Sequence, residues 1–140
     1  MAFNIFLDIN IVADLLDNKR LWHKEASALF AAAEKEDINC YVSESVLNTT
    51  AYIVSKNLPV TTTVSIFSYL LSFIKVLPIS NKIYIEALQN VKNDIEDSVL
   101  YQIALSEKMD YFITNDLKDF KKIENSSLPV IQAKQLLELL

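Results

Sequence analysis

Glycine is absent from all 140 residues, and that absence excludes more than any single motif establishes. Loops that cradle a phosphate need bare backbone where a side chain would collide, so neither a P-loop nor a dinucleotide-binding fingerprint can be built. Turns fall instead to Asn, Asp, Ser and Pro, as at Asn18, Asn57-Leu58-Pro59, Asn81, Asn93 and Asn125-Ser126-Ser127. Cysteine occurs once, at Cys40, which excludes an internal disulfide and a thiolate metal cage and leaves a small buried core residue. Histidine also occurs once: His23 stands near the start of a helical stretch, "RLWHKEASALFAAAEKE", with nothing nearby to make a Ser-His-Asp arrangement, and is expected on the solvated surface. Positive charge is in deficit, 13 Lys and Arg against 18 Asp and Glu for a net −5, which argues against a broad basic face for nucleic acid. Only local cations, Arg20, Lys118, Lys121 and Lys122, are left as contacts to a nucleic-acid backbone. No apolar run is long enough to cross a bilayer, and "MAFNIFLDIN" has neither a basic leader nor a small-residue cleavage site, so a cytoplasmic protein without a membrane partner is expected.

What is present is apolar: 51% of the residues are hydrophobic, enough for one core, and no linker, repeat or low-complexity tract divides residues 1–140, which are read as a single domain. Residues 3–7 read as a buried strand, after which Ile9 to Leu16 takes helical spacing. A second helix places Trp22, Ala26, Leu29, Phe30 and Ala33 on one face. "INCYVS" (38–43) reads as a strand, and helices follow over 45–56 and 60–74, the latter with Val64, Phe67, Leu70, Leu71 and Ile74 as its expected buried stripe. "KVLPI" is a third strand, 81–91 and 95–108 a helix pair, 111–114 a fourth strand, "PVI" (129–131) a fifth and "AKQLLELL" a closing helix. Short, nearly continuous apolar strands separated by helices require a parallel sheet covered on both faces, so the class is α/β. In such sheets ligands bind beyond the carboxyl ends of the strands.

Acids recur at those ends. Asp8 follows the first strand, Glu44 follows Ser43 after the second, and Asp116 follows Thr114 and Asn115 after the fourth. Asp94 and Asp97 share a face at the start of the helix before the fourth strand, and Tyr101 and Ala104 continue that face, aiming Asp97 inward. Each could be a helix cap, a turn residue or a solvated charge. Together they would repel one another unless a cation lay between them, and oxygen ligands without His or Cys suit Mg²⁺ or Mn²⁺.

"IFLDINIVADLL", "DIEDSVLYQIALSEKMDYFITNDLKDF" and "LPVIQAKQLLELL" resemble, in order and spacing, the PIN-domain family, which includes the toxin ribonucleases of VapBC-type toxin–antitoxin pairs. The resemblance covers nearly the whole chain and is most specific from Asp94 to Phe120. It implies a three-layer α/β/α fold with a five-stranded parallel sheet and metal-dependent hydrolysis of RNA phosphodiesters. It implies catalytic and metal-binding roles for Asp8, Asp97 and Asp116, with Asn10 and Thr114 as supporting polar groups and Asp94 as a further metal ligand. An antitoxin partner and a homodimer are implied as well. The chain departs from the family at the second acid, whose place on the helix after the second strand is taken by Thr49. Glu44 is the nearest carboxylate in sequence and is the candidate substitute. Because of that departure, a PIN-fold module that has lost catalysis and acts through protein partners is the competing reading. A phosphoacceptor receiver domain is disfavoured because "KVLPISN" offers no acceptor Asp, and an Asp-x-Asp phosphatase because Asn10 replaces the second acid.

Overall fold

The computed structural model describes residues 2–140. Strand β1 (Phe3–Leu7) is followed by α1 (Ile9–Leu16), α2 (His23–Glu34), β2 (Ile38–Ser43), α3 (Glu44–Asn57) and α4 (Val60–Leu70). Then come β3 (Ile74–Leu77), α5 (Asn81–Leu88), α6 (Ile95–Ser106), β4 (Tyr111–Ile113), α7 (Leu117–Lys121), β5 (Val130–Ile131) and α8 (Ala133–Glu138). The five strands form one sheet in the order β3-β2-β1-β4-β5, and every pairing is parallel.

The central strand explains the apolar start of the sequence. Ile5, Phe6 and Leu7 are fully buried because β1 is paired on both edges, Phe6 opposite Tyr41 of β2 and opposite Phe112 of β4. Phe112 stacks on Phe6 with ring centroids 5.5 Å apart and lies 4.5 Å from the ring of Phe120, so α7 is fastened to the sheet by aromatic packing. Helices cover both faces: α2 packs with α1 and α8, α3 with α1 and α4, and α5 with α6. This is the α/β sandwich that alternating strands and helices predict.

The strand order places a topological switch at β1. The chain leaves β1 toward β2 and β3, then returns across the sheet to β4 on the other side, so the carboxyl ends of β1 and β4 part around a crevice. Without glycine, two left-handed positions fall to ordinary residues, Glu36 at φ 66° after α2 and Lys108 at φ 55° after α6. Both close a paired-bond helix end: Asp37 N–H donates to the Ala32 carbonyl at 2.9 Å, and Met109 N–H to that of Ala104 at 3.1 Å.

Three sequence expectations are corrected here. Helix α4 ends at Leu70 rather than at 74, and Ile74 opens β3. The expected buried stripe is divided: Leu70 and Ile74 are buried and Phe67 is partly buried against the core, but Val64 is 59% and Leu71 47% exposed. Spacing identified the helix correctly, but an apolar stripe does not say whether the chain's own core covers it. His23 is half-buried rather than solvated, its Nδ1 lying 2.8 Å from the Asp14 carbonyl. Cys40 is buried as expected, and burial pushes its thiol up to about 12.

Candidate active site

Asp8 leaves β1 in an extended conformation and caps α1. Its backbone N–H still donates to the Ile113 carbonyl of β4 at 3.0 Å, which holds the carboxyl-terminal ends of the two strands level. Its carboxylate is 4% exposed. Oδ1 accepts from the Ile9 N–H at 2.8 Å, and Oδ2 accepts from the Asn10 amide at 3.0 Å and the Thr114 hydroxyl at 2.8 Å. Thr114 is fully buried and accepts in turn from Asn10 Nδ2 at 3.2 Å and from the Asp116 N–H at 3.0 Å. Asn10 completes the web by accepting from the Asn115 N–H at 3.3 Å. Asn10 and Thr114 thus fix the orientation of the Asp8 carboxylate.

Burial pushes the Asp8 carboxyl above its usual range; the hydrogen bonds from Thr114 and Ile9 pull the other way, and the charges of Asp116 and Glu96 add to the rise. Asp97, half-buried one turn into α6, is raised to about 7, first by desolvation and then by the carboxylates of Asp94, Asp8, Asp116 and Asp119. Asp94 caps α6 by accepting from the Asp97 N–H at 3.3 Å. Asp116 caps α7 by accepting from the Asp119 N–H at 3.5 Å. Three helix starts therefore deliver acids to the mouth of the switch-point crevice, where each macrodipole favours negative charge.

The donor set suits a hard divalent cation. It is all oxygen, and the mutual repulsion that raises Asp97 is what a cation would relieve. Among the described residues no three His, Cys, Asp or Glu side chains stand as a ready-made cage. Mg²⁺ does not need one, since it keeps several waters and is held by one or two carboxylates together with substrate phosphate.

The other expected site residues have the following surroundings. Glu44 is exposed, and its Oε1 accepts from the Ile79 N–H at 3.4 Å, which draws it toward the end of β3. Thr49 is exposed on α3 and lines, with Glu96 and Tyr84, a hollow of ≈ 360 Å³. Arg20 is bound by Asp14, its Nε 2.7 Å from Oδ1. Lys121 pairs with Glu124 at 2.9 Å and Lys122 with Asp119 at 3.9 Å. Lys118, on the exposed side of α7, forms no ion pair among the described residues.

Sequence reasoning missed Asp14, Asn115 and Glu96. Asp14 is 2% exposed and accepts from Asn115 Nδ2 at 2.7 Å as well as from Arg20. Its position, three residues after the buried Ile11 on the same helical face, was the available signal. Asn115 bridges this half-buried ion pair to Asn10, and so to Asp8.

The model of a family described as PIN domain matches residues 4–118. No curated protein matches. Among solved structures, the chain is similar to VapBC2 from Rickettsia felis bound to a DNA fragment from its promoter, with a TM-score of 0.68 and 21% identity over 92% of this chain and 98% of that one. It is similar to DNA-bound VapBC from Salmonella typhimurium, with a TM-score of 0.69 and 17% identity over 94% and 98% of the two chains. It is also similar to VapC20 from Mycobacterium tuberculosis, a sarcin-ricin loop cleaving toxin, with a TM-score of 0.65 and 14% identity over 84% and 93%.

Proposed function

The chain belongs to the PIN-domain family, and on that premise we propose that it is a divalent-metal-dependent endoribonuclease and the toxin of a toxin–antitoxin pair. One observation carries the reading: the Asp8 carboxylate is buried at the switch point and held by Thr114 and Asn10, and the starts of α6 and α7 bring Asp97 and Asp116 near enough for the three charges to act on one another. Asp8, Asp97 and Asp116 would hold Mg²⁺ or Mn²⁺, with Asp94 at the rim. Such an ion, when bound, supplies an activated water and neutralises charge on the phosphate. The chain's own part is to fix the carboxylates: Thr114 and Asn10 orient Asp8, and the caps of α6 and α7 set Asp97 and Asp116 at the crevice mouth.

An antitoxin segment is the proposed partner. Between α1 and α3 lies an apolar hollow of ≈ 290 Å³, lined by Ile9, Ala13, Leu16, Ile53 and Val54, that a partner helix could fill. The exposed stripe of α4, with Val60 and Val64 70% and 59% exposed, is proposed as the homodimer face. A cytoplasmic setting accords with the absence, among the described residues, of any helix long and apolar enough to cross a membrane. Residues 1–140 are proposed to form a single domain.

The second reading, a module with weakened catalysis, has Thr49 in its favour, together with the lack of a third close carboxylate among the described residues. Calorimetric titration of Mn²⁺ separates the two. Wild type is expected to bind and Asp97→Asn to lose most of that binding and its RNA cleavage. Wild type that neither binds Mn²⁺ nor cuts RNA would leave the non-catalytic module as the function.

A further inference from the structure

We infer that the hollow between α6 and the segment from α7 to β5 is an oxyanion subsite that seats a backbone phosphate of the RNA strand beside the acids, an inference that rests on the nuclease reading. The cavity measures ≈ 240 Å³, and Lys92, Ser98, Lys122 and Asn125 are among the residues that form it. Its wall contains an unspent donor. Ser98 is 5% exposed, and its hydroxyl has no hydrogen-bond partner, although a helical serine can ordinarily turn back to a carbonyl of the preceding turn. Native proteins seldom leave such a group unmatched.

Several of the other polar groups around the hollow are already engaged. The Tyr101 hydroxyl donates to the Leu128 carbonyl at 2.6 Å and accepts from the Asn125 N–H at 2.7 Å. Gln102 Nε2 donates to Glu86 at 2.8 Å. Glu124 also lines the hollow, and its Oε2 accepts from Lys121 at 2.9 Å and the Val130 N–H at 2.7 Å. Lys92 forms no ion pair among the described residues, and Lys122 has only the long contact of 3.9 Å to Asp119. With its amide oxygen turned to the ammonium, Asn93 accepts from Lys122 Nζ at 3.1 Å and donates to the Lys92 carbonyl at 3.2 Å, which ties the two lysine-bearing segments together. Two ammonium groups and a buried hydroxyl free to donate, beside a Glu124 carboxylate already held by Lys121, favour an anion, on a chain whose net charge is −5.

Position identifies the source of that anion. Ser98 directly follows Asp97, and Lys122 contacts Asp119, one of the carboxylates that act on Asp97. The hollow and the acid mouth therefore share the first turn of α6 as a wall, so a strand whose scissile phosphate meets the acids brings a neighbouring phosphate to the lysines.

The test is fluorescence anisotropy of a short labelled single-stranded RNA in EDTA, over about 50 to 200 mM salt. Lys92→Gln and Lys122→Gln, with unfolding midpoints checked, are expected to weaken binding about three- to tenfold, and each to lower the slope of log affinity against log salt by about 0.7. Ser98→Ala is expected to weaken binding with the slope unchanged, and Lys134→Gln, on α8, to leave both as in wild type. Affinity and slope at wild-type values in both lysine variants would overturn the subsite. So would inorganic phosphate binding, seen by its phosphorus resonance and lost in the variants, if RNA affinity stayed unchanged, since the pocket would then serve free phosphate. Mn²⁺ titration of Asp97→Asn on the same preparations keeps the two readings apart: retained Mn²⁺ binding overturns the nuclease assignment, whereas its loss beside unaffected RNA binding in the lysine variants overturns the subsite alone.

Discussion

Asp97 should act against the stability of the fold that holds it, in a manner set by pH. Its carboxyl is raised from 3.8 to about 7, so the folded chain keeps a proton that the unfolded chain releases across that interval. Stability therefore falls as pH rises from about 4 to about 7, and the penalty is constant above that. At about 1.4 kcal/mol for each tenfold change in proton affinity the whole rise amounts to about 4 kcal/mol, and solvent screening of a half-exposed carboxylate brings it to roughly 2 kcal/mol. Asp97→Asn removes the penalty and also a negative charge from the first turn of α6, which offsets roughly 0.5 kcal/mol. The variant is thus expected to be about 1.5 kcal/mol more stable than wild type at pH 8.5, or about 5 °C in Tm for a chain of this size. Near pH 4 the difference should vanish. Thermal unfolding followed by circular dichroism at both pH values, without divalent ions, measures it. Adding Mn²⁺ at pH 8.5 should raise the Tm of wild type and not that of the variant. A variant less stable than wild type at pH 8.5, or a difference that does not change with pH, would refute the account of the site as a strained cluster of carboxylates.

Three further outcomes follow from the web around Asp8, from the Asp14–Arg20 pair and from the backbone after α6. Thr114→Val deprives Asp8 of a donor and leaves Asn10 and the Asp116 N–H without their buried acceptor, so it should cost about 2 to 3 kcal/mol, read as a urea midpoint about 1 M lower at constant m. Arg20→Ala leaves Asp14 buried with only Asn115 to answer it and should cost about 2 kcal/mol, less than a fully buried pair because Arg20 is half in solvent; a cycle with Asp14→Asn should show strong coupling. Lys108→Gly relieves the left-handed backbone after α6 and is expected to stabilise by about 0.5 to 1 kcal/mol in the same urea assay, the gain being limited by the extra freedom glycine brings to the unfolded chain.

Most of the fold was legible in the sequence because its elements obey local rules. The run from Phe3 to Leu7 is apolar on both faces because its strand is central, and Asp8, Ser43, Ser80 and Asp94 announce the helices that they cap. The boundaries that failed lie where tertiary context decides. Residues 71–74 continue the helical spacing of α4, but pairing with Cys40 recruits Ile74 to the sheet. Glu36 and Lys108 occupy positions where glycine is the usual signal, and in a chain without glycine nothing marks them. The acids after β1 and β4 could be assigned to one edge from sequence because parallel topology sends strand ends there. Where Glu44 turns could not be read, because one residue past a strand the chain has already entered α3 and the carboxylate follows the helix toward Ile79. Asp14 was passed over because a buried acid cannot be told from a surface one until Arg20 and Asn115 are seen to close on it.

The chain's acidity bears on how it could handle a polyanion at all. A net charge of −5 spread evenly would repel RNA, and the cations chosen from sequence do little to offset it, since Arg20 and Lys121 are consumed by Asp14 and Glu124. What matters is segregation. The acids converge on Asp97 at the crevice mouth, where a divalent ion would reverse the local sign, while Lys92 and Lys122 keep uncommitted donors on the opposite side of the same helical turn. In that arrangement phosphate affinity without metal depends on the lysines and the metal governs only the acid mouth. Raising Mn²⁺ should therefore increase RNA affinity in wild type, and the increment should survive Lys92→Gln and disappear in Asp97→Asn. An increment lost in both would mean that the two sites are one, and that the first turn of α6 does not divide them.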